Sequence, residues 1–151
     1  TLMSTPIAFN PVLPPSVNPE VRKKFRDLAE IVEVSPYRCS FSFDAEGTTA
    51  ADTHRITIQT RNRRGDVLRG SWRVEFYTST SPEGPPVSLG HTLSVLNGQV
   101  TETIVGAAHY RCLTDSDGQI VFDLTIAGPA TRYVIAKIDG HSEASEAIAW
   151  A

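Results

Sequence analysis

The chain has 151 residues, 40% of them hydrophobic and 21% charged, which is ordinary globular usage and suits one compact domain with an appendage. A formal net charge of -3 offers no global attraction to phosphate backbones or anionic lipid. The few aromatic residues are not interleaved with basic ones, so no nucleic acid partner is expected. No apolar run approaches the roughly 20 residues that span a bilayer, so no membrane partner is expected either, and the opening Thr1–Pro6 lacks the basic end and apolar stretch of a secretion signal.

Residues 1–18, "TLMSTPIAFNPVLPPSVN", carry Pro6, Pro11, Pro14 and Pro15 with apolar residues between them. Proline at this density blocks a helix interior and favours an extended, polyproline-like arm. A disordered tail is normally polar, whereas this one holds Ile7, Phe9, Val12 and Leu13. These four are the expected anchors of an arm laid in a groove on a neighbouring subunit. An arm folded back onto its own domain is the alternative.

Asn18-Pro19-Glu20 is a helix opening: a capping side chain, proline at the first helical position, then a carboxylate near the positive end of the dipole. Val21, Phe25, Leu28, Ala29 and Val32 follow at helical spacing, which predicts an amphipathic helix over 19–32, closed by Ser35-Pro36. Helix and linker together make a segment 19–36. Arg22, Lys23, Lys24 and Arg26 lie on the other face, a solvated surface whose Arg22, Lys23 and Arg26 are candidate weak contacts to an acidic partner.

From Tyr37 the period changes to two. "RCSFSF" alternates through Cys39, Phe41 and Phe43, "RITIQT" through Ile56 and Ile58, and "SWRVEFYT" through Trp72, Val74 and Phe76. "QIVFDLTIA", "RYVIAKI" and "EAIAWA" follow, separated by turn residues. Short alternating strands with no second helical pattern predict an all-β antiparallel sandwich over 37–151. Cys39 and Cys112 are the only cysteines; a bridge between them is open, and buried thiols are the commoner outcome for two cysteines so far apart.

"RITIQTRNRRGDVLRGSWRVEFY" and "CLTDSDGQIVFDLTIAGPATRYVIAKIDG" together resemble a bacterial immunoglobulin-like domain of the invasin/intimin type, over about 55–140. The shared pattern is a glycine turn between strands, then a Thr-Asp-x-x-Gly turn, a glycine-containing corner and a strand similar to Tyr-x-Val/Ile-x-Ala, here Tyr133-Val134-Ile135-Ala136. The resemblance implies an immunoglobulin-like fold rather than an activity. The chain departs from it in a long insertion between Thr78 and Tyr110, whose strand order the sequence leaves open. Arg64-Gly65-Asp66, the triplet of many adhesion ligands, falls in the first turn. Gly65 is expected there for its positive φ and Asp66 as a side-chain cap.

Candidate chemistry is sparse. Asp115 and Asp117 before Gly118 resemble the start of a calcium loop, but Ile126 stands where an EF-hand needs an acidic ligand, and a hairpin turn explains the same residues. His54, His91, His109 and His141 are isolated, no GxSxG elbow occurs, and Glu143 and Glu146 lie in a polar segment. The expectation is a non-enzymatic protein with no cofactor and no metal. A metal or carboxylate hydrolase would need a site assembled from distant residues. Invasin-type modules occur on bacterial surfaces and as accessory domains of tailed-phage particles. A single module behind a Pro-rich arm and a helix fits a phage capsid decoration or cement protein, or a head–tail accessory subunit. Its partners would be other virion proteins, with homo-oligomers on the particle. The rival expectation is an adhesion module on the bacterial cell surface, binding host protein or glycan through loops 61–70 and 81–90.

Overall fold

Asn18 caps the first element as its position demands: its Oδ1 accepts the Glu20 backbone N–H at 2.8 Å, and Pro19 follows inside the helix. The chain is described by a computed structural model over residues 18–88 and 90–151, without the side chains of residues 25 and 27–33. Helix α1 spans Pro19–Val34, one half-turn beyond the expected end, and stops at Ser35 because the residue before Pro36 is driven into extended backbone, with ψ 136°.

Ten antiparallel strands follow among the described residues, in two facing sheets. The first sheet runs β1 (Arg38–Phe43), β2 (Thr53–Arg61), β7 (Gln119–Ile126), β4 (His91–Asn97). The second runs β10 (Ile148–Trp150), β8 (Ala130–Ile138), β3 (Arg73–Ser79), β6 (His109–Leu113), β5 (Gln99–Val105), and β9 (His141–Ala144) also pairs with β8. The architecture is the expected all-β sandwich. The order β1-β2-β7-β4 opposite β10-β8-β3 follows the A-B-E-D and G-F-C layering of immunoglobulin-like sandwiches. The long insertion supplies β4 to the edge of the first sheet, in the D place, and β5 to the edge of the second, which it widens beyond G-F-C.

Alternation builds the core. Ile56 and Ile58 of β2, Ile120, Phe122 and Leu124 of β7, Val74 and Phe76 of β3, and Val134 and Ala136 of β8 are all buried between the sheets. Phe76 and Phe122 stack across the gap with ring centroids 4.8 Å apart. The outermost strands depart from the expected pattern. Phe43 ends exposed because β1 is an edge strand with a partner on one side only. Trp72 lies just before β3, half-buried against the core, with its indole N–H donating to Arg69 O at 3.0 Å. The final strand is only Ile148–Trp150. It is held by His54, whose Nε2 is 2.9 Å from Ala149 O, and by the Trp150 indole, which donates to Asp52 O at 3.0 Å.

Candidate functional site

The residues that look most like a motif converge at one end of the sandwich, where two turns carry the chain from one sheet to the other. The first joins β2 to β3, the second β6 to β7. In the first, Asn62 is buried and its Oδ1 accepts the backbone N–H groups of Arg64 (2.9 Å) and Asp66 (3.0 Å), while Asn62 N–H donates to Asp66 O at 3.0 Å. The cap is therefore Asn62, not Asp66 as expected. An Asx side chain three residues before the glycine reaches both amides, and Asp66 contributes its backbone instead. Gly65 has φ +89°, which explains the glycine of the triplet without a ligand.

The second turn is built the same way. Asp115 Oδ1 accepts the N–H groups of Asp117 and Gln119, both at 2.9 Å, and Gly118 has φ +75°. It was expected as a hairpin, yet β6 and β7 belong to different sheets, so it is a sheet-crossing turn. Among the described residues no group of three or more His, Cys, Asp and Glu side chains gathers as a metal site would. The two turns are locked together. Thr60 Oγ1 is 2.8 Å from Leu68 O and 3.0 Å from Gly118 O, and Thr60 N–H donates to Gly118 O at 2.9 Å. Gly70 N–H donates to Ser116 O, and Thr114 Oγ1 donates to Gly70 O at 2.7 Å. Thr60 and Thr114 are buried polar groups with their partners supplied, as a stable interior requires.

The cysteines are both free and buried, Cys39 on β1 in the first sheet and Cys112 on β6 in the second. Burial, with Glu143 nearby, pushes the Cys39 thiol up to about 12, and burial pushes Cys112 up to about 11. Thiols so poorly ionised are weak nucleophiles.

The histidines occupy separate places. His54 bridges Asp44 O and Ala149 O and meets Trp150 edge-on. His91 contacts Ala107 O, while its Nδ1 is buried without a hydrogen-bond partner. Burial holds the His91 pKa below the usual value, and Arg132 adds to this against the raising effect of the Ala107 carbonyl. His141 stacks on Tyr37, centroids 4.7 Å apart, and its Nε2 is 3.3 Å from Glu143 Oε1.

His109 joins the densest charge cluster, on the outer face of the second sheet. There Arg111 of β6 stands opposite Glu75 of β3 and Glu102 of β5, bonding both. His109 Nε2 lies 3.1 Å from Glu75 Oε2. Burial alone would raise Glu75, but hydrogen bonds from Arg111 and His109 carry its carboxyl below the usual range. A shallow groove of about 750 Å³ opens beside it, lined by Arg73, Glu75, Glu102, Arg111, Lys137 and Asp139. Three cations and three carboxylates alternate there, so the groove presents no single sign of charge. The arrangement is a cross-strand ion-pair ladder.

Of the predicted partner-binding residues, Ile7, Phe9, Val12 and Leu13 lie outside the described residues. Lys23 and Arg26 are exposed on α1, and Arg22 is partly so. Val21 and Val34 of the same helix are exposed too, Val34 to 58%. Sequence reading missed a second group of exposed apolar residues. Leu96, Val100, Ile104 and Val105 are between 37% and 44% exposed, and they are four of the eight large hydrophobic residues exposed among those described. They lie on the edge strands β4 and β5, within ten residues of one another in sequence. The signal was present in "LNGQVTETIV", whose apolar residues alternate weakly around a glycine turn. Without the strand order nothing said that both strands were edges.

No family model matches the chain, and no curated protein matches it.

Proposed function

We propose that the chain is a non-enzymatic structural protein of a phage particle, a capsid decoration or cement subunit or a related head–tail accessory subunit, attached through residues 1–18. The reading rests on the resemblance to invasin-type modules, on the Pro-rich apolar arm, and on the way the sandwich uses its polar side chains. The observation that carries it is the contrast between the two ends of the chain's resources. The conspicuous polar motifs at 62–66 and 114–119 are absorbed into turns that cross between sheets, whereas apolar Val21 and Val34 on α1 stay exposed. An arm that orders on docking loses conformational entropy, so it needs apolar anchors, and Ile7, Phe9, Val12 and Leu13 supply them. Many identical copies on a lattice then add weak contacts through avidity.

Co-sedimentation with purified particles tests this. The full chain is expected to decorate particles, while a chain lacking residues 1–17 stays in the supernatant with its urea midpoint unchanged. Full occupancy by the truncated chain would refute attachment through the arm. The groove beside Glu75 and the 61–70 loop would then become the surfaces to examine.

A further inference from the structure

The insertion is fastened at the end of β3. There Thr78 N–H donates to Ala108 O at 2.9 Å, Thr78 Oγ1 donates to Val87 O at 2.9 Å, and Val87 N–H donates to Thr78 O at 2.8 Å. His91, at the start of β4, completes the fastening from the facing sheet. Its Nε2 donates to Ala107 O in the turn between β5 and β6, and lies 3.4 Å from Thr78 Oγ1. The turn needs that support. Ala107 has φ +61°, left-handed backbone that a residue with a Cβ adopts at a cost. Its N–H is held by Tyr110 Oη at 2.8 Å and its carbonyl by the His91 ring.

The fastening has one chemical weakness. A carbonyl accepts only from an N–H, so the neutral ring keeps its proton on Nε2 and leaves Nδ1 an acceptor. Nδ1 is buried and has no hydrogen-bond partner among the described residues. Once protonated it becomes a buried, charged donor with nothing to receive it, which costs far more than an idle acceptor.

The surroundings push the same way. Burial first, then Arg132 of β8, hold the ring's pKa below 6.5 against the pull of the Ala107 carbonyl. The other neighbours offer no counter-charge: Thr78 on β3, Ile126 opposite His91 on β7, and Ala107 itself. On β6, Tyr110 is engaged by Ala107 N–H, and His109 faces Glu75. The neutral ring therefore belongs to the closed turn. Below pH 6.5 an open form takes the proton first and gains ground as pH falls. Opening meets little resistance from β5, an edge strand whose ladder already slips between Thr103 and Val105.

We propose that His91 is a proton-operated latch. Neutral, it clamps the β5–β6 turn onto the end of β3; protonated, it lets go, and residues 105–108 open while the rest of the sandwich stays folded.

The test is hydrogen exchange of the full chain, amide by amide, expressed as protection factors from pH 7.5 to 5. The amides of Thr78, Val87 and Ala108 should lose protection below pH 6.5, by up to about tenfold per pH unit. Those of Thr60 and Gly70, bonded at the opposite turns, should keep theirs. In His91→Gln, which retains a donor but takes up no proton, protection at 78, 87 and 108 should be equal at both ends of the range. Constant protection in the wild type overturns the latch. So does a wild-type fall that the Gln variant reproduces, and a parallel fall at Thr60 and Gly70 shows global loosening instead and overturns it as well. Should the Gln variant be too unstable for exchange work, the His91 ring-proton shift of the wild type replaces it. That shift must titrate with the same midpoint as the loss of protection, and a different midpoint overturns the proposal.

Discussion

The sheet-crossing turns and the β4–β5 corner are both places where the chain passes between the two layers, yet they are built on opposite terms. At the turns, Asn62, Thr60, Asp115 and Thr114 bond backbone groups inward, Leu68 is buried, and the glycines hold left-handed backbone. At the corner the connection is short, the ladders slip, and apolar side chains stay partly exposed. The difference teaches that a striking triplet such as Arg-Gly-Asp can be a folding device. A plain stretch such as "QVTETIV" can leave apolar side chains exposed that its composition does not advertise.

Substitutions at the two places should separate them sharply. The largest effect belongs to Gly118→Ala. The site combines φ +75° with a position where a Cβ would lie 2.0 Å from Leu68 O, a backbone atom that cannot swing aside. A loss of about 3–5 kcal/mol in urea unfolding is expected, a size that otherwise needs core damage. Gly65→Ala meets a similar φ, +89°, but no atom within 4 Å, so only the left-handed penalty of about 1–2 kcal/mol applies. Equal losses at the two glycines would break the idea that the turns are packed against each other.

Asn62→Ala removes a buried acceptor that holds two backbone amides of the turn and is expected to cost about 1–2 kcal/mol. Asp66→Ala, at the residue an adhesion ligand could least spare, should change stability by less than about 0.5 kcal/mol, because the turn uses only its backbone. The reverse ranking would show that the acidic side chain holds the turn.

Acid should weaken the sandwich in two windows. His91 has a folded pKa below its ordinary 6.5, so the unfolded chain takes up the proton first and stability falls as pH drops below about 6.5. Glu75 has a folded pKa below 4.5. Its contribution is therefore present above that value and disappears as pH falls through it. Urea midpoints at pH 8, 5.5 and 4 should decline in that order, and His91→Gln should flatten the first step. A midpoint that rises on acidification from pH 8 to 5.5 would contradict this account of His91. The smallest effect is expected at the corner: Leu96→Ser should move stability by less than about 0.5 kcal/mol, because a side chain 44% exposed has little burial to lose.

Much of the fold was legible because it follows from local rules. Asn18-Pro19 starts α1 where a cap and a first-turn proline belong, and period-two runs through Ile56, Ile58, Phe76 and Phe122 mark strands that do bury those residues. Turns were legible in position but not in detail. Asn62 and Asp66 are equally good turn formers, and only the path of the backbone decides which one reaches the amides. The insertion was the least legible, since a strand's neighbour depends on long-range pairing and β4 and β5 give no local sign that they serve different sheets. For the same reason the Glu75–Arg111–Glu102 ladder was invisible: β3, which carries Glu75, meets β6 only in the sheet. The exposure of Leu96, Val100, Ile104 and Val105 was hidden because exposure on an edge is a property of strand order.

The most direct measurement is hydrogen–deuterium exchange of the full chain, free and in the presence of purified particles. New protection with particles should fall in residues 1–17, while the amides of 59–70 and 114–119 stay equally slow in both states. Protection gained across 61–70, with 1–17 unchanged, would contradict attachment through the arm and the purely structural reading of the turns.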